Sequence, residues 1–223
     1  MDLKKWEQLL KMTDTEWGDY AFCREPLRNK LTFEQKTEYI RKAIESGIEQ
    51  AKYLQDTYGK MDIPEYIQKL SLQVTKENAQ GMDDYLVFAR YNYPRDITLF
   101  TMNIDAVNAM LTQENYWEQV ENVKVENMLL AHEMYHFLEE TRENVYSKTK
   151  KIVLWSIGPF KYRSGLVALS EIAAMSFAKE LLNINYNPYV FDALMLYPHD
   201  SERAERLVEE ILRFRMEQEE MNE

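Results

Sequence analysis

Residues 132–136 read HEMYH, two histidines four positions apart with a glutamate directly after the first. On a helix that spacing puts His132 and His136 on one face, a turn apart, where both imidazoles reach a single ion. Glu133 follows about 100° further round the helix, beside the same ion. In this HExxH arrangement a zinc ion lowers the pKa of its water toward ~7, and the neighbouring carboxylate relays the proton to a leaving amine. Glu133 is the expected general base. Two ordinary helical histidines are the alternative.

Two imidazoles do not complete a zinc site. The metzincin extension requires glycine at 139 and histidine at 142, where this chain has Glu139 and Arg142. The third ligand is therefore expected from another helix, and Glu171 in LVALSEIAAMSFAKELL is the best candidate. Val167, Ala174, Met175, Ala178 and Leu182 share its face at helical spacing, a stripe expected to face the core. An ionised carboxylate there needs a cationic partner, which zinc supplies. A salt bridge, or a place at the edge of the stripe, is the alternative. Ala173, Ala174 and Ala178 are small enough to let this helix approach the HEMYH helix closely.

The elements that must hold these groups read as an α+β fold, mainly helical, zincin-like, with a small antiparallel sheet. A short amphipathic helix over 2–12 is followed by a capping-box pattern at Thr13 and Glu16. Thr32 with Gln35 opens a long helix stopping near Gly59, with Gly47 as a possible bend, and Pro64 suits the first turn of a helix over 63–70. Leu72–Val74 reads as a brief strand, and Tyr85–Tyr91 with Ile97–Met102 as a hairpin turning at residues 92–96. Helices are expected over 104–112, 115–141 and 165–183, and from Ser201 a charged helix with Ala204, Leu207, Val208, Ile211 and Phe214 on one face. Residues 150–165 read as a buried segment, with a strand, a covering loop or a flap over the site as alternatives. This divides the chain into a helical lead-in over 1–30, a metallopeptidase domain over 31–200 and a charged helix and tail over 201–223.

A formal charge of -11 would repel phosphate backbones, so no direct nucleic-acid binding is expected. Cys23 is the one cysteine, which excludes an intramolecular disulfide and favours a reducing compartment. The opening MDLKKWEQLLKM lacks the apolar stretch of a signal peptide, and no segment approaches the roughly 20 apolar residues of a span. A cytoplasmic protein with no membrane partner is the expectation.

HEMYH together with a later helical Glu171 and Ala174, Phe177 and Ala178, and Leu181 and Leu182 resembles the ImmA/IrrE family of metallopeptidases. The order of helix, short strands and the Ile97–Leu99 strand extends the likeness over about residues 40–190. The resemblance implies a gluzincin-like site in which His132, His136 and Glu171 bind Zn2+ and Glu133 is the base. It also implies a protein substrate, such as a transcriptional repressor. A catalytically idle zincin-fold module that grips a repressor is the competing reading, but metal binding alone does not need Glu133. A structural zinc is weaker still, because such sites fill four positions with Cys or His. An extended peptide would add to the sheet edge, with Ile97–Met102 as the candidate edge. For the oxyanion, His199 and Tyr162 are the candidates, each also readable as structural or exposed.

Overall fold

The computed structural model describes residues 2–79, 86–113, 120 and 123–222. Its elements run α1 (Leu3–Leu10), α2 (Asp14–Cys23), α3 (Phe33–Tyr58), α4 (Ile63–Lys69), β1 (Gln73–Glu77), β2 (Ala89–Asn92), β3 (Asp96–Phe100) and α5 (Thr101–Gln113). They continue with α6 (Val125–Thr141), α7 (Tyr146–Thr149), β4 (Ile152–Ile157), β5 (Phe160–Ser164), α8 (Val167–Leu182), α9 (Val190–Leu196) and α10 (Ser201–Asn222). The fold is α+β, helices around two small sheets. Among the described residues no helix is long and apolar enough to cross a membrane.

Local signals set the helix starts. Thr13 with Glu16, Thr32 with Gln35, and Asp62 with Glu65 each form a reciprocal cap, satisfying amides that the first turn leaves without partners. Gly59, at φ 87°, ends α3. The helix bearing HEMYH starts at Val125, later than residue 115; Lys124 before it gives no side-chain cap, so no capping residue marks that start in the sequence. Residues 115–119 and 121–122 of that expected helix, and Tyr85 of the expected strand, lie outside the described residues.

Helix α8 lies at the centre, packed on α3 and on α6. Helix α3 is continuous through Gly47. A Cβ at Gly47 would collide with the Ala173 carbonyl, and it would lie 2.9 Å from both the Phe177 amide nitrogen and Ser176 Cβ, so the glycine lets the two helices meet backbone to backbone. One apolar cluster runs from Trp6 and Leu9 through Trp17, Ile40, Leu129, Phe177 and Leu194 to Val208 and Ile211, joining the first and last helices to the body. The expected face of α10 buries Ala204, Val208 and Ile211, with Leu207 and Phe214 half-buried.

The three-stranded sheet has the order β1-β3-β2, with β1 parallel and β2 antiparallel to β3. The β2–β3 hairpin is as expected, turning at residues 93–95, but Met102 belongs to α5. Central β3 buries Ile97, Thr98, Leu99 and Phe100, so it cannot be the peptide-binding edge. Alternation along a strand cannot show that β1, from further upstream, would take its open side. The edge facing α6 is β2.

Residues 152–164 form an exposed antiparallel hairpin, β4–β5, rather than a buried segment. Ile152 at its base is buried, but Trp155, Ile157, Phe160 and Tyr162 are exposed. An apolar run by itself does not tell a core strand from one that projects.

Candidate metal centre

Helix α6 carries both histidines and buries Met128, Leu129, Met134, Phe137 and Leu138, so its orientation is fixed by packing on several sides. Helix α8 brings Glu171 to them. Its N-terminus has no side-chain cap of its own; Glu25, buried after α2, accepts from the Ala168 amide at 3.0 Å and from the Leu27 amide at 3.0 Å. A carboxylate at a helix N-terminus satisfies an orphan donor and complements the helix dipole, so Glu25 fixes where α8 begins, one turn before Glu171.

The three expected ligand residues converge. His132 Nε2 and His136 Nε2 are 3.0 Å apart, and Glu171 oxygens lie 3.4 Å from His132 Nε2 and 3.7 Å from His136 Nε2. Neighbouring donors of a tetrahedral zinc at 2.0–2.1 Å are separated by about 3.3–3.4 Å, and the three distances straddle that value. Two imidazole nitrogens and one carboxylate are also the donor set that zinc favours at hydrolytic centres. The group fits a divalent transition metal.

The stripe around Glu171 faces the core in part: Ala174 and Ala178 are fully buried, whereas its other members are not. Val167 is exposed, and Met175 and Glu171 are half-buried beside a cavity of about 300 Å³ that Ala21, Arg24, Pro26, Tyr189 and Asp192 also line. Burial works against a charged His132, but the adjoining Glu171 carboxylate outweighs it and raises His132 to about 9. Burial likewise works against the Glu171 carboxylate, yet its hydrogen bond and attraction to His132 hold it down at about 2. The pocket therefore already pairs one positive charge with this carboxylate, and a divalent ion would supply that charge in place of the imidazolium proton.

His136 is oriented from behind. Its Nδ1 lies 3.3 Å from Ser170 Oγ, which donates to Glu139 Oε2 at 2.7 Å. With the Ser170 hydroxyl committed to Glu139, its oxygen accepts from Nδ1–H, leaving the Nε2 lone pair toward the cluster. Burial would raise Glu139, but hydrogen bonds from His136, Ser147 and Ser170 lower it below the usual glutamate value. Neither Glu139 nor Ser170 was singled out as functional in the sequence; the i,i+3 spacing of His136 and Glu139 was the available signal. Glu139→Ala is expected to weaken zinc affinity about 10- to 100-fold. Competition titration with a chromophoric chelator would check it, and an unchanged affinity would reduce this chain of hydrogen bonds to packing.

Glu133 is buried next to His132, and its Oε2 accepts from the Tyr91 amide of β2 at 2.7 Å. Phe100 N–H donates to Phe88 O at 2.9 Å, and the alternating pairing beyond it turns Ala89 and Tyr91 toward the open side of β2. The HEMYH glutamate is thus tied to the sheet edge beside the histidines. Of the expected oxyanion donors, His199 stacks edge-on against Phe88 and Tyr162 stacks on Trp155 in the exposed hairpin. Neither lines the cavity at Glu171. Tyr189 does; its hydroxyl is buried without a hydrogen-bond partner among the described residues, and burial first, then the charges of Glu171 and Asp192, keep it protonated.

Comparisons of the chain with family models, curated proteins and solved structures find no match.

Proposed function

We propose that this chain is a zinc-dependent endopeptidase of the ImmA/IrrE kind, working in the cytoplasm on a specific regulatory protein such as a repressor. The observation that carries this reading is the convergence of His132, His136 and Glu171 from two helices, with Glu133 held beside them against the β2 edge. His132, His136 and Glu171 would hold the metal. A zinc ion held there would supply Lewis acidity toward the scissile carbonyl and a water that is nucleophilic near neutral pH.

The protein's own groups do the rest. Glu133, fixed at one oxygen by the Tyr91 amide, accepts a proton from the attacking water and returns it to the departing amine. The Tyr189 hydroxyl, protonated and without a competing partner among the described residues, donates to the oxygen that develops negative charge. The apolar wall of Ala21, Pro26, Val167 and Met175 accepts a side chain of the substrate and excludes water from it.

The test is a digest of a proteome-derived peptide library with new termini read by mass spectrometry. Zinc-loaded protein is expected to bind about one ion per chain and to generate a restricted set of cleavages. These should disappear with 1,10-phenanthroline and return on adding zinc. A zinc-bound protein that generates no new termini from the library or from co-expressed repressors would favour the binding-module alternative, because its fold and metal would then be intact without turnover.

A further inference from the structure

The β4–β5 hairpin has two unlike faces. Register pairs Ile157 with Phe160 and Trp155 with Tyr162, which puts these four side chains on one face, and Lys161 and Arg163 on the other. The four are 70%, 75%, 53% and 54% exposed, respectively, which is unusual for so contiguous an apolar group. Trp155 and Tyr162 stack with ring centroids 5.5 Å apart, a rigid aromatic rung behind the Ile157–Phe160 tip. Ile152 is buried at the other end and anchors the hairpin to the body.

Charge is arranged with equal order. Between Glu143 and Glu171 the chain has five basic residues, Lys148, Lys150, Lys151, Lys161 and Arg163, and no acidic one, although the whole chain carries -11. Lys150 and Lys151 stand at the base, then Trp155 and Tyr162, then the apolar tip of Ile157, Gly158, Pro159 and Phe160. The lysines at the base, the aromatic rung and the apolar tip thus succeed one another along the hairpin as headgroup, interface and acyl region do in a bilayer. Lys161 and Arg163, on the opposite face, have stems long enough to keep their charges at headgroup level.

From this order we infer that the hairpin docks the protein on an anionic membrane surface, tip first, without spanning it. A second copy of this hairpin is a poor occupant, since pairing would oppose two clusters of like charge. Searching a sequence for long apolar spans cannot find such an element, because its apolar tip is only a few residues long. The inference is independent of any catalytic activity.

Co-sedimentation with vesicles tests it. Vesicles of phosphatidylcholine with about 30 mol% phosphatidylserine are expected to retain the protein at least tenfold better than phosphatidylcholine alone, with retention falling as salt rises. Replacing Ile157 and Phe160 by serine should reduce retention at least tenfold. Lys161→Glu with Arg163→Glu should do the same, at roughly fivefold or more per reversed charge. All four side chains are exposed, so their replacement leaves the core intact. Failure of the wild type to sediment with anionic vesicles, or equal retention of the tip variant, would overturn the inference. So would a dimer in sedimentation velocity that the tip variant loses while vesicles are ignored, because the hairpin would then be a self-association surface.

Discussion

Glu133→Gln is expected to lower peptide cleavage by roughly 10²- to 10⁴-fold while the protein still carries its zinc. Glutamine keeps the shape of the side chain and a carbonyl oxygen that can accept the Tyr91 amide, now 2.7 Å from the Glu133 carboxylate, so the link between α6 and β2 survives. The loss is confined to the ability to take a proton. The proposed ligand atoms belong to His132, His136 and Glu171, which lie 3.0–3.7 Å from one another, and none of them is on Glu133. Metal content by atomic emission and cleavage rates on the peptide found for the wild type separate the two effects. A variant that retains zinc and still cleaves at more than a tenth of the wild-type rate would remove Glu133 from the proton relay. One that loses zinc would instead make the Tyr91–Glu133 contact part of the support of the site.

What could be read from the sequence and what could not divide along a physical line. His132, Glu133 and His136 were legible because helical geometry alone fixes their relation. The capping boxes at Thr13, Thr32 and Asp62 are equally local, and all three form reciprocal caps. Glu171 was found from its place on α8, although the face it occupies lines a cavity and is not sealed in the core. Relations between distant segments were hidden. Nothing near Ile97 says that Gln73–Glu77 will pair beside it and make β3 central. Nothing near Ala168 says that Glu25 will cap α8, a contact made across 143 positions of chain. The run at 152–157 has the composition of a buried segment yet is largely exposed for a related reason, since a strand's exposure depends on what packs against it, and here its main neighbour is β5.

The second large effect concerns a residue with no chemistry of its own. Gly47→Ala is expected to destabilise the fold by about 2–3 kcal/mol, even though alanine is the better helix former by about 1 kcal/mol. The methyl group would enter the α3–α8 contact, where the obstructing atoms are the Ala173 carbonyl oxygen, the Phe177 amide nitrogen and Ser176 Cβ. The first two belong to helical backbone, which cannot rotate aside as a long side chain could, so the helices must separate. Separation reaches the metal centre directly, because Ala173 is two residues beyond Glu171 on α8 while both histidines stay on α6. Glu171 would then be displaced relative to His132 Nε2, now 3.4 Å away, and zinc affinity should fall together with stability. Chemical denaturation of the metal-free protein measures the first effect and chelator competition the second. Valine, larger and β-branched, should exceed alanine in both. If alanine left stability unchanged or raised it, the close backbone approach would not be the reason for glycine at 47, and α8 would have room to move without disturbing the site.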